Sequence, residues 1–512
     1  RGLTFTGGDR LAWHGTTGWG LQHDWEMFDR PSALLRLRGA EDCGILDCTF
    51  AHSGHTAGRL DLHAQRNRLV GNHIHHVGGV GILLAGYGPG TKDVNRDNVV
   101  TDNWVHHIGL TYWGSPAVFA WQSGHNDISH NTIHNTPYTG IVVSGRISWR
   151  RDGQGECART CRFAEIDAAL GGDVPRPSWE RREPFLHARG NRVERNDIHT
   201  VMEVLGDGNA IYVSGCGGGN VVRENHCHDS FGPYMNAVIR NDDDQHGTIV
   251  EGNLCVRTRG WGEGIINKGA NRIIRNVVAD LRPSARHRGM LVLVRYPQHG
   301  AVIRENIFLA TRPGLIAVGE QGQAGAPGDP PRLRDADSGR NLYWSTVDPQ
   351  WGAAHLERAA ADGVEGGSLA ADPLFADIAT DRFAFPPHSP AAALGLPQPV
   401  DIDLCGLREP YRSRFLPRRL WTWIEPGIDG VLRRPVTITL RSSDPQAVIH
   451  YTLDGSEPTR GATCYTGPFT LAETAVVRAR SFADGAADPA GDLVAFLPDR
   501  KSTRLNSSHR IR

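Results

Sequence analysis

A short phrase, Asn-x-apolar-His, recurs along the chain as NHIH, NWVH, NTIH, NDIH and NHCH, with its Asn at positions 72, 103, 131, 196 and 225. It continues without the His at Asn253, Asn276 and Asn306. Successive Asn stand 31, 28, 65, 29, 28, 23 and 30 residues apart, and the long step becomes ordinary if a loop of about 37 residues intervenes. Each unit carries a second apolar stretch ending in polar residues or Gly: GILLAG, AVFAWQSG, GIVVSG, AIYVSG, AVIRND and GIINKG. Short alternating runs punctuated by Gly and Asn are strand signals, and nothing reads as a long amphipathic helix. A unit of this size with two or three short strands cannot bury its apolar face alone, so it must stack on its neighbours. The expectation is an all-β chain, a right-handed parallel β-helix with one coil per repeat.

At about 4.8 Å per coil, equivalent residues become ladders. The Asn column then serves as a turn ladder, its amides bonding the backbone and each other from coil to coil. His75, His106, His134, His199 and His228 stack in the same way. Five evenly spaced copies exceed what one site needs, so the column reads as structural before it reads as a row of ligands or bases. Cys227 and Cys255 fall where neighbouring repeats have Ile, which makes both core residues.

Composition narrows the function classes. Gly (61) and Pro (30) are abundant in the 512 residues while apolar residues still make 39%, so the chain is turn-rich and able to pack a core. The net charge of -1 gives no global field toward nucleic acid or an anionic membrane, and no partner of either kind is expected. No apolar run is long enough for a transmembrane helix. Lys occurs only at 92, 268 and 501, so each Lys has a claim on attention. Nine Cys lack paired CxxC spacing, which excludes a disulfide scaffold and structural zinc.

The β-helix is expected over residues 1–340, with an insertion at 148–185 that breaks the repeat and walls a groove. Cys157 and Cys161 inside it are candidates for a local bridge. Residues 341–430 form a capping segment and connector. At 431–485 the chain changes to strands alternating with Asp-Gly and Gly-Pro turns, a small β-sandwich with Val436, Ile438, Ile449, Tyr451 and Val477 in its core. The last stretch, 486–512, is a tail outside the fold.

The segments NTIHNTPYTGIVVSG, GDGNAIYVSG, AVIRNDDDQHGTIVEGN and DPLFADIATDRFAFPPHSPAAALG resemble right-handed parallel β-helix repeat proteins of the pectate-lyase-like superfamily. Within it, the likeness is nearer to the β-helix glycoside hydrolases that include xylanases and fucosidases, over roughly residues 37 to 410. HYTLDGSEPT and CYTGPF resemble the C-terminal domain of chitobiases and β-hexosaminidases, an accessory module that implies a carbohydrate setting and a secreted, cell-surface or periplasmic protein. The superfamily holds lyases, hydrolases, epimerases and non-enzymes, so the resemblance specifies fold before reaction.

Glycoside hydrolysis needs two carboxyl groups flanking the bond, about 5 to 5.5 Å apart for retention and roughly 6.5 to 9.5 Å for inversion. Aligning coils on the repeated Asn matches Ile211 with Ile239 and Ser214 with Asp242. The resemblance points to Asp207 of GDGNAIY and Asp242 of NDDDQ as the acids. NDDD stands where relatives tend to have an Asp-Glu pair, so Asp243 is an alternative for the second role. With a slightly shorter coil, Lys268 falls beside Asp242, close enough to keep it ionised. Phe119, Trp121, Tyr212 and Arg240 lie on the outward face of the same strands, where rings can stack on sugars, while Val118, Ala120, Ile211 and Val213 point inward.

Three functions follow. The first is hydrolysis of a glycosidic bond in a plant or microbial polysaccharide by a monomeric enzyme without metal or cofactor. The second is a polysaccharide lyase, in which the Asp run holds calcium and Lys268 or Arg240 abstracts a proton beside a uronate carboxylate. The third is a non-catalytic carbohydrate-binding solenoid.

Overall fold

The computed structural model describes residues 1–10 and 33–498, less 148, 154–156, 159, 174–176, 233–235, 261, 285, 295–297, 323–331, 417–421, 426–430, 433–434, 443, 445, 474, 484–485 and 488–491. Three parallel sheets of 12, 10 and 11 strands run side by side, and each coil contributes one strand to each sheet in turn. One coil comprises Val99–Thr101, Trp104–His106 and Val118–Trp121; the next comprises Asp127–Ser129, Thr132–His134 and Ile141–Ser144. Register is one to one, with Val105 beside Ile133 and Val118 beside Ile141. We refer to the sheet with Trp104–His106 as the histidine sheet and the sheet with Val118–Trp121 as the acid sheet.

Alternation along each strand fills the interior. Val118, Ala120, Ile211, Val213, Cys227 and Cys255 are fully buried in one continuous apolar cluster, as the repeat predicts. Corners are made by one residue in left-handed backbone followed by Asn. Asp102, His130, Arg195 and Glu224, with φ from 50° to 55°, precede Asn103, Asn131, Asn196 and Asn225. The corner leaves amides without strand partners, and the next coil supplies them. Asn131 Oδ1 accepts from both the backbone N–H (3.1 Å) and Nδ2 (2.9 Å) of Asn103, and Asn131 in turn donates to Asn196. The column runs from Asn72 to Asn341. A second column, Asn67, Asn98, Asn126, Asn191 and Asn220, is built identically at the preceding corner.

The coils continue past residue 340. Leu342–Ser345 and Leu369–Ala370 extend the histidine sheet, because the repeat's apolar alternation persists there in LYWS after its Asn. The compact unit ends at Leu407. Its last part folds back over the histidine sheet, where Phe383, Phe385, Ala391 and Leu396 pack on Leu254, Val256, Val277, Ala279 and Ile307. The insertion carries the helix Phe163–Leu170 and a small core of Cys161, Ile166 and Phe185. Cys157 and Cys161 are both buried, and the candidate bridge between them is not formed.

A second compact unit begins at Arg408. It is an antiparallel sandwich whose core joins Ile438, Ile449, Leu471, Val477 and Ala479, with Val436 and Tyr451 packed against them. It is wider than 431–485: Thr422–Glu425 pairs with Val436–Ser442. The tail is also corrected. Asp492–Pro498 pairs antiparallel with Ala475–Ala483, since LVAF alternates like a strand. Residues 499–512 lie outside the described residues.

Candidate active site

The acid sheet ends its strands in a charged corner. Asn236–Asp242 pairs with Asn209–Ser214 on one side and Gly262–Asn267 on the other, placing Ser214 beside Asp242 and Arg240 beside Ile266. The N–H of Lys268 continues that ladder by donating to the Asn241 carbonyl (3.1 Å). Lys268 therefore stands one coil from Asp242, and its ammonium pairs with Asp242 Oδ1. Asp242 Oδ2 accepts from the Tyr212 hydroxyl (3.1 Å) and faces Arg240 Nη1 (3.4 Å). Burial alone would push the Asp242 carboxyl up, but Lys268 and Arg240 hold it below the ordinary carboxylate range.

Asp207 arrives from the opposite direction. It occupies left-handed backbone (φ 56°) in the loop before Asn209–Ser214. Gly208 lets that loop press inward, since a Cβ there would lie 2.4 Å from the Met202 sulfur and 2.7 Å from the Tyr138 ring. The Tyr138 hydroxyl donates to the Asp207 carbonyl (2.6 Å). So pinned, Asp207 Oδ1 meets Arg240 Nη1 at 2.7 Å. Because the same nitrogen lies 3.4 Å from Asp242 Oδ2, these two carboxylate oxygens stand at most about 6 Å apart, the range in which a carboxyl pair can flank one bond. The straight-strand separation that seven residues would impose is cancelled by the folded loop.

The other acids of the run are held elsewhere. Asp243 accepts from Ser214 Oγ (2.6 Å) and pairs with Arg146 (3.0 Å). Asp244 pairs with Arg182 (2.7 Å) and His246 (2.9 Å). Each Asp faces its own cation, so the run does not converge as an oxygen cage for calcium. Arg182 and Trp179, whose Nε1 donates to the Cys216 carbonyl (3.2 Å), tie the insertion to this corner. Tyr212 is buried, as are Phe119 and Trp121. The expectation that these rings stack on sugar is corrected: strand alternation turns them outward, but the chain covers the outer face at those coils. Tyr212 presents its hydroxyl to Asp242.

The histidine column takes the structural form. Rings of His75, His106, His134, His199 and His228 stack in succession at 5.4, 4.9, 4.9 and 4.9 Å. Burial pushes His75 and His134 down to about 4. At the end of the ladder His228 lies between Asp197 (3.1 Å) and Asp229 (2.7 Å); burial opposes its charge, but the two carboxylates raise it to about 9. Asp197, His226 and His228 bring one ligand atom each within 4.8 Å. The His226 and His228 rings stack at 4.1 Å, and His226 Nδ1 (3.4 Å) and His228 Nε2 (3.1 Å) both face Asp197 Oδ1. His226 and Arg257 also clamp Asp381 of the folded-back segment.

The family profile described as right handed beta helix region matches residues 32–148, and the chitobiase/beta-hexosaminidase C-terminal domain profile matches residues 429–490. The chain is a right-handed parallel β-helix followed by a small C-terminal β-sandwich that is similar to the chitobiase/beta-hexosaminidase C-terminal domain. No curated protein matches its sequence. Among solved structures, the β-helix protein is similar to a glycoside hydrolase at 15% identity and TM-score 0.31, over 66% of this chain and 41% of that one. It is also similar to a mutant of a periplasmic alginate epimerase at 13% identity and TM-score 0.32, over 60% of this chain and 67% of that one. Neither likeness specifies a reaction.

Proposed function

We propose that the β-helix protein is a carbohydrate-active enzyme that hydrolyses glycosidic bonds of a polysaccharide with Asp207 and Asp242. The observation that carries this reading is the single Arg240 nitrogen that contacts both carboxylates. It brings one oxygen of each within about 6 Å of the other, near enough for both to flank one glycosidic bond. Their environments differ, which is how two like acids take unlike roles. Asp242 is nearly buried between Lys268, Arg240 and Tyr212 and is held as the carboxylate, the form a nucleophile needs. Asp207, with 23% of its side chain exposed, sits where a substrate oxygen can reach it and takes the acid/base role, for which substrate must displace its ion pair with Arg240. In the first step the Asp207 proton passes to the glycosidic oxygen as the bond to the anomeric carbon breaks and an Asp242 oxygen bonds that carbon. Water then displaces Asp242 and returns a proton to Asp207.

Calcium-assisted elimination is the weaker reading because Asp242, Asp243 and Asp244 are each matched by a separate cation. Asp243 becomes a positioning residue that ties the corner to Arg146. The accessory domain supports action on polysaccharide outside the cytoplasm, and no helix among the described residues is long and apolar enough to cross a membrane.

The test is a screen of the purified full chain against arabinoxylan, polygalacturonate, alginate and fucoidan, read for new reducing ends and for unsaturated products. New reducing ends without unsaturation, lost in Asp207→Asn and Asp242→Asn by roughly a hundredfold or more, are expected. Unsaturated products, or full activity in both variants, would overturn the assignment.

A further inference from the structure

With Phe119, Trp121 and Tyr212 buried, the acid corner needs another ring if sugars are to be stacked. Trp113 is 55% exposed, in the loop between Trp104–His106 and Val118–Trp121. Asp207 lies in the equivalent loop two coils on, since Val118 pairs with Ile141 and Ile141 with Ile211. Trp113 precedes Val118 by five residues and Asp207 precedes Ile211 by four, so the two occupy corresponding stretches of their loops, about 10 Å apart along the helix axis.

The loop that bears Trp113 is pinned. The N–H groups of Thr111 and Tyr112 donate to the Gly78 carbonyl (3.0 and 2.8 Å), and the N–H of Ser115 donates back to the Tyr112 carbonyl (3.0 Å). Gly109 packs so closely on Pro137 that a Cβ would lie 2.6 Å from the proline ring. Pro137 in turn accepts from the N–H groups of Val204 (3.1 Å) and Leu205 (2.9 Å), two residues before Asp207. A rigid bridge of backbone therefore runs from the Trp113 loop through Pro137 to the Asp207 loop. Leu110 (54% exposed) and Val204 (39% exposed) flank it, extending the apolar surface toward the acid. A large indole more than half exposed on a braced loop presents a ring face to solvent, and that face matches the C–H face of a pyranose ring.

We propose that Trp113 is a stacking platform that binds a sugar ring of the polysaccharide two coils from Asp207. The proposal rests on the glycan-active reading of the acid corner and gives it a subsite remote from the reacting bond. A remote platform holds long chains and contributes little to short ones.

Affinity electrophoresis of the full chain in gels containing arabinoxylan, polygalacturonate, alginate or fucoidan tests this, using Asp207→Asn as the background so that the gel is not digested. Retardation by at least one polysaccharide is expected, weakened roughly tenfold in Trp113→Ala and largely kept in Trp113→Phe, with unchanged thermal melting in both. No retardation by any of the four, or equal retardation in Trp113→Ala, would overturn the proposal. If binding depends on Trp113 while the wild-type chain releases no reducing ends, the platform stands and the hydrolytic reading falls.

Discussion

The acid sheet and the histidine sheet share coils, interior and register, yet the polar groups on their outer faces are used differently. On the histidine sheet a polar side chain repeats in five coils, the rings satisfy one another, and residues up to Leu407 fold over the later coils. On the acid sheet Asp207, Arg240, Asp242 and Lys268 each occur once and meet at a corner that still reaches solvent. Repetition marks load shared along the solenoid, while the proposed chemistry sits where the repeat is broken. Both faces bury carboxylate–cation networks, so burial and ion pairing alone do not separate an active site from a clamp.

The largest effect expected from this contrast lies at Asp242. Replacing it with Asn leaves Lys268 and Arg240 with one anion fewer in a nearly buried corner, which costs about 3 kcal/mol of stability as well as the activity. Asp207→Asn removes the activity but costs under about 1 kcal/mol, because Arg240 retains Asp242. Urea unfolding of the two variants, alongside turnover, separates them; equal destabilisation would dissolve the distinction drawn between the two acids. Lys268→Met lets the Asp242 carboxyl rise toward its ordinary range, so the acid limb of the pH–rate profile moves upward. An unmoved limb would remove Lys268 from control of Asp242.

A smaller effect separates the faces by pH. The His134 ring accepts from Trp104 Nε1 (2.9 Å) through Nε2 and faces Asn135 Oδ1 (2.6 Å) through Nδ1, an arrangement that suits the neutral ring. Its folded value of about 4 lies below the ordinary 6.5, so its contribution is complete above pH 6.5 and lost as pH falls toward 4. Between pH 6.5 and 5 the loss is about 2 kcal/mol. His228, raised to about 9, works in the other direction: its contribution is complete below 6.5 and lost as pH rises through 9. Stability should peak near neutrality, and His134→Gln should flatten the acid side only. Melting curves at pH 5, 7 and 9 check this, and an acid side unchanged in the variant would return the histidine column to mere packing.

The fold was legible because its signal is periodic. The Asn-x-apolar-His phrase located the corners, the inward Val118, Ala120, Ile211 and Val213, and the pairing of Ser214 with Asp242. The second Asn column escaped notice since no constant residue follows Asn98, Asn126 or Asn191, although each stands five residues before an Asn already found. Asp242 and Lys268 were brought together by register alone. The approach of Asp207 was not legible, because it depends on a left-handed residue and the close fit of Gly208 against Met202 and Tyr138. The burial of Phe119 and Trp121 was equally hidden: alternation tells which way a side chain points, and nothing local tells what covers it.

The smallest effect is expected from removing the second unit. The sandwich has its own core of Ile438, Ile449, Leu471 and Val477, and the β-helix is closed by its own chain. The N–H of Gly406 donates to the Arg195 carbonyl (2.8 Å) and that of Leu407 to Thr132 Oγ1 (3.2 Å), so the cap is tied down to its last residue before Arg408. A chain ending at Leu407 keeps Asp381 on His226 and Arg257 and keeps both faces as described. It should unfold in one cooperative transition, within about 2 °C of the full chain by calorimetry, and retain the reducing-end activity on short substrates. Loss of cooperative unfolding in that truncation would show that the sandwich completes the β-helix core, and the contrast between the two faces would then have to include a third contributor.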